Sequence, residues 1–134
     1  MTDHVLRASV ETVHWGYFDA EEKPALSIAS GDRVTMETIS GGQDVMPPPS
    51  SGFEILPELK EVHAKVPRKL PGHILTGPIA IKGAMPGDVL QVDIEDIKIR
   101  QNWGYNAIRP LAGALPLEFD RVRIVHIPMD HARG

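Results

Sequence analysis

The chain is 134 residues long, 42% hydrophobic and 24% charged, enough apolar material for one ordinary folded domain. It holds no cysteine, which excludes disulfides, thiolate metal sites and a cysteine nucleophile. A formal net charge of -4 argues against a nucleic-acid reader, and no apolar run approaches the ~20 residues of a membrane span. The first residues, Met1-Thr2-Asp3-His4, show no basic stretch leading into an apolar core, so the expectation is a cytoplasmic protein.

Glycine and proline supply twelve residues each, above ordinary usage, and point to short elements joined by many turns. Residues 10–15 and 25–29 are weak strand candidates. Ser30-Gly31-Asp32 then makes a turn, and residues 33–39 alternate with Val34, Met36 and Thr38 on one face, the period of a strand. The stretch 40–72 contains six prolines and is too long for an ordinary connection, so it reads as one long loop. Within it residues 57–64 form the best helix candidate, with proline in the first turn.

Residues 78–82 are a further weak strand, followed by the turn signal Met85-Pro86-Gly87-Asp88. Residues 88–100 carry the strongest strand signal of the chain. Leu90, Val92 and Ile94 share one parity and Ile97 and Ile99 the other, which predicts a bulge or bend at Glu95-Asp96. Residues 121–127 form a last strand, with Val122 and Ile124 on one face. The expected class is all-β: an antiparallel β-sandwich or jelly-roll-like single domain over residues 1–134, with the long Pro-rich loop and at most a short helix.

Six histidines occur, His4, His14, His63, His73, His126 and His131, and none forms a local metal motif such as His-x-His. His73 is the best candidate for a functional role, because flanking glycines allow a ligand close to the backbone. His14 and His126 read as structural, and His4 and His131 as solvent-facing. Glu37 sits where it could reach a site beyond Ser40-Gly41-Gly42. Asp32 and Asp88 follow glycines and read as hydrogen-bonding their own turns. No Gly-x-Ser-x-Gly elbow and no phosphate loop is present.

A series of motifs in register carries more information than any one of them. His14-Trp15-Gly16-Tyr17-Phe18-Asp19, Ser30-Gly31-Asp32-Arg33-Val34 and Glu37-Thr38-Ile39-Ser40-Gly41-Gly42 are followed by Gly72-His73-Ile74-Leu75-Thr76-Gly77-Pro78. Gly83-Ala84-Met85-Pro86-Gly87-Asp88-Val89-Leu90 and Trp103-Gly104-Tyr105-Asn106 come next, with Leu115-Pro116 and Phe119 completing the series. The series resembles the N-terminal half of the acetamidase/formamidase family. The resemblance implies a hydrolase that cleaves the C–N bond of small linear amides, formamide or acetamide, to acid and ammonia. It implies a divalent metal, zinc or calcium, with His73 as a metal ligand and Glu37 and Asn106 as catalytic candidates. It further implies a homo-oligomer, and a second half, carrying Gly-Gly-Asn-x-Asp and Gly-Asp-x-His runs, that this sequence lacks. The chain is therefore expected to be inactive alone and to need a C-terminal half or second subunit. The alternative expectation is a non-catalytic β-sandwich module that binds a ligand or metal.

Overall fold

The computed structural model describes residues 1–133. Strands β1 (Asp3–Leu6), β2 (Val13–Trp15), β3 (Leu26–Ile28) and β4 (Arg33–Met36) precede one helix, α1 (Pro57–Lys65). Strands β5 (Ile74–Thr76), β6 (Ile79–Ile81), β7 (Trp103–Ile108) and β8 (Arg123–Pro128) follow it. The all-β class with one short helix is thus observed. The strands pair as four small two-stranded sheets: β2–β5 and β7–β8 antiparallel, β1–β4 and β3–β6 parallel. No helix among the described residues is long and apolar enough to cross a membrane.

The chain divides into two compact units. The first comprises Met1–Gly41 and Pro57–Ile94 and holds three of the sheets and α1. Its interior is built from Leu6, Ala8, Val13, Trp15, Ile39, Leu59, Val62 and Ile74. The helix forms where Pro57 presets the first turn and Glu58 stands near its positive end, with His63 and Lys65 in the last turn. Leu59 and Val62 are fully buried and share a face with His63 and Val66 at helical spacing. Each of those two burials stabilises the unit by about 1.5–3 kcal/mol. Glu61 and Lys65, one turn apart on the exposed side, pair at 2.6 Å.

The second unit comprises Gly42–Leu56 and the chain from Glu95 onward. Two 3-10 turns, Gln43–Val45 and Pro49–Ser51, lie in its first part, and the β7–β8 hairpin in the rest. Trp103 and Val45 are its buried centre. In β8 the half-buried positions are Ile124 and His126, while Val125 and Ile127 are exposed, as is Val122 just before the strand.

Three expectations change. Residues 88–100 belong to no strand ladder among the described residues, although their alternation is strand-like. The pattern reports what the side chains favour, and a ladder also needs a hydrogen-bonding neighbour. The stretch 40–72 is not one loop: beside the expected helix, α1, it holds both 3-10 turns, and it is divided between the two units. His4 does not face solvent freely: it lies half-buried in β1, and its Nε2–H donates to Asp32 Oδ2 at 3.1 Å.

That aspartate closes its own turn, as the sequence indicates, and also ties β1 to β4. Ala29 N–H donates to Oδ2 at 3.0 Å and Thr2 N–H to Oδ1 at 2.8 Å. The Ala29 amide first, then His4 and the Thr2 amide, pull the Asp32 carboxyl from 3.8 down to about 2. A depressed folded-state pKa contributes stability that is fully present above the unfolded value and is lost as pH falls through the folded one. Thermal midpoints measured against pH should therefore fall between pH 4 and 2. In Asp32→Asn the midpoint at neutral pH should be lower and the acid slope shallower.

Candidate functional site

In the first unit, three of the family-like motif segments meet around one indole. Trp15, at the end of β2, is buried, and its Nε1–H donates to the Gly72 carbonyl at 3.2 Å. The next residue, Gly16, donates its N–H to the His73 carbonyl at 3.0 Å, which carries the β2–β5 pairing past Trp15↔Ile74. The His63 ring, from the last turn of α1, stacks on Trp15 with centroids 5.5 Å apart and planes 21° apart. His63 Nε2 lies 2.8 Å from the Gly41 carbonyl, which can only accept, so this nitrogen carries the proton. The segments at 14–19, 37–42 and 72–78 are thus joined through Trp15 and His63.

A second cluster flanks the first. Lys69 Nζ donates to Tyr17 Oη at 2.9 Å, and Tyr17 O–H donates to Glu22 Oε2 at 2.8 Å. The Tyr17 hydroxyl, with Glu22 and Asp19 near, pushes the Lys69 ammonium up, so it stays charged at neutral pH. That makes Lys69 a cationic anchor for the loop before β5, and a poor nucleophile. The Arg68 guanidinium lies over the Trp15 ring, 5.6 Å from its centroid.

Two buried polar atoms in the β2–β5 pair, His14 Nδ1 and Thr76 Oγ1, have no hydrogen-bond partner among the described residues. Opposed residues share a face, and His14 is opposite Leu75 while Thr76 is opposite Val13, so the two atoms serve opposite faces. The His14 ring leans on Tyr17 with centroids 5.1 Å apart. Unsatisfied atoms of this kind cost about 1–3 kcal/mol each, and mark places where a polar group from elsewhere would be stabilising.

The residues singled out in the sequence are placed as follows. His73 stands just before β5 with an exposed side chain and no hydrogen bond to its ring among the described residues. Glu37 directly follows β4, is half-buried, and donates its N–H to the Leu6 carbonyl at 2.9 Å. Asn106 lies on β7 opposite Val125, exposed, in the other unit. Among the described residues no three His, Asp or Glu side chains are grouped so as to hold a metal ion. The donors of this chain therefore do not fit the implied metal by themselves. The sequence gives His63 no role beyond membership of the six histidines, and does not single out Lys69. The only signal for His63 was its helical spacing from Leu59, which also describes an ordinary packing residue.

The sequence pattern of the Acetamidase/Formamidase family matches residues 20–121, most of the chain. This chain belongs to the acetamidase/formamidase family. A Schizosaccharomyces pombe protein provisionally named a formamidase is 55% identical over 38 residues, covering 27% of this chain and 9% of that protein. The acetamidase of Mycolicibacterium smegmatis is 45% identical over 47 residues, covering 28% of this chain and 12% of that one. The crystal structure of a recombinant predicted acetamidase/formamidase from Thermoanaerobacter tengcongensis superposes with a TM-score of 0.70 at 22% identity. It accounts for 96% of this family member, which spans only 38% of that chain, so the two share a fold over this portion.

Gly16 offers a direct test of how closely these segments pack. Its φ is +92°, and a Cβ there would overlap the Leu70 carbonyl. Gly31, at φ +85°, has open space around it. Gly16→Ala should cost about 2–4 kcal/mol, from strain plus overlap. Gly31→Ala should cost only the strain, about 1–2 kcal/mol. Chemical denaturation of the two variants measures the difference.

Proposed function

We propose that this chain forms the N-terminal portion of an amide hydrolase, one that cleaves the C–N bond of small linear amides such as formamide and acetamide to acid and ammonia. The observation that carries the reading is the family match over residues 20–121, supported by the meeting of three motif segments around Trp15 and His63. The aromatic centre is a rigid support. His63 is committed to the Gly41 carbonyl, and the Lys69 ammonium is anchored on the Tyr17 hydroxyl.

His73 is the side chain that the support leaves open. Its main chain is held by Gly16 while its ring projects unpaired, an arrangement suited to proton transfer once a substrate and further groups are brought to it. Glu37 and Asn106 are the accompanying candidates. No step is assigned to a metal, because the donors here make no complete set. The missing donors would come from the remaining portion of the family fold, and the chain alone is proposed to be inactive.

Two measurements test this reading. The purified chain should release no ammonia from formamide or acetamide above background; turnover abolished by a substitution within the chain would overturn it. In an enzyme completed with the remaining portion, His73→Ala should lower kcat/KM by about tenfold or more, about 1.4 kcal/mol in activation free energy. Because the side chain is exposed, the same variant should change stability by less than about 0.5 kcal/mol. A large loss of stability with normal kinetics would assign His73 to structure instead.

A further inference from the structure

We propose that residues 89–94 are a docking edge that takes up a strand from the remaining portion of the acetamidase/formamidase fold, an inference that rests on the reading of this chain as one portion of such an enzyme. The segment lies in the first unit, directly after the turn in which Met85 N–H donates to Asp88 Oδ2 at 2.8 Å. The Gln91 amide donates to the Asp93 carboxylate at 3.0 Å, a contact between residues two apart, the spacing at which side chains share one face of an extended backbone. Leu90, Val92 and Ile94 then occupy the opposite face. They are 65%, 71% and 75% exposed, and Val89 is 95% exposed. An alternating, apolar segment that joins no ladder among the described residues presents main-chain groups outside any sheet and an uncovered apolar stripe together.

The size of the uncovered surface indicates what covers it. The chain has 10106 Å2 of accessible surface. A folded monomer of 14.7 kDa exposes about 6,900 Å2, and two domains sharing that mass without touching would expose about 8,400 Å2. The excess of the whole chain over the larger figure is about 1,700 Å2, above the ~800 Å2 per partner of a standard interface and in the range of obligate ones. A short peptide does not supply such an area. A large piece of folded polypeptide does, and the solved family structure has 38% of its chain matched to this one and the rest unmatched. Charge argues against a second copy as the occupant. Residues 88–97 hold four acids, Asp88, Asp93, Glu95 and Asp96, and no base, so self-pairing would set like charges together.

The test is co-expression of this chain with the portion of the Thermoanaerobacter tengcongensis protein that it does not match, followed by sedimentation and amide hydrogen exchange. In the chain alone, residues 89–94 should exchange freely. In the complex their exchange should slow by about tenfold or more. Val92→Asp with Ile94→Asp should prevent the complex while leaving the thermal midpoint of the chain alone unchanged, since both side chains are exposed. The proposal is overturned if no complex forms, if residues 89–94 stay unprotected within it, or if the double substitution leaves it intact. Self-association of the chain that protects these residues would also overturn it, in favour of a second copy. A complex that protects residues 89–94 yet releases no ammonia from formamide or acetamide ends the amide-hydrolase reading and leaves the docking edge standing. Ammonia release without that protection does the reverse.

Discussion

A tryptophan packed against a histidine, each giving a ring N–H to a main-chain carbonyl, organises both units of this protein. In the first, Trp15 donates to Gly72 while His63 stacks on it and donates to Gly41. In the second, Trp103 donates to Glu54 at 2.7 Å, and His126, edge-on to Trp103, donates to Val45 at 2.9 Å. Phe53 completes the second cluster, with ring centroids 6.4 Å from Trp103 and 6.3 Å from His126. The sheets are short and two-stranded, so they contribute few apolar contacts of their own. Large aromatic rings with a polar handle compensate: they fill the interior and satisfy irregular main chain at the same time.

This arrangement explains why the Pro-rich stretch is ordered. Prolines limit the conformations that residues 47–49 can lose on folding, and the carbonyls before them are held by histidine rings and turns. Glu54 is gripped at both ends of its peptide, its N–H by the Asn102 side chain at 3.0 Å and its carbonyl by Trp103. Arg109 adds an ion pair to Asp44 at 2.6 Å on the surface, which contributes little beyond orientation.

Much of this was legible in the residues. The helix, the turn roles of Asp32 and Asp88 and the strands around 13–15, 26–28, 33–36, 79–81 and 123–128 followed from period, proline placement and glycine turns. Strands β1, β5 and β7 were not legible. Asp3–Leu6, Ile74–Thr76 and Trp103–Ile108 are short or broken by glycine, and they exist because a partner elsewhere in the chain accepts them. The converse error occurred at 88–100, where the side-chain pattern is strong and no strand ladder forms among the described residues. At the site, the motif segments were visible as a series, but their convergence on His63 was not. A histidine two turns into a helix carries no mark of the carbonyl it will meet.

The order in which the two units use the chain constrains how the protein can be made. Residues Gly42–Leu56 interrupt the first unit, and residues Pro57–Ile94 separate them from the rest of the second. During synthesis the Pro-rich segment emerges well before Trp103 and His126, the side chains that will hold it. The parallel pair β3–β6 likewise waits for about fifty intervening residues, and such pairings form late because loop closure precedes any gain from contact. No single cut yields either unit as a contiguous polypeptide. Excising one would therefore require re-joining the chain, and early folding intermediates carry exposed aromatic-binding segments that a nascent-chain chaperone would be expected to shield.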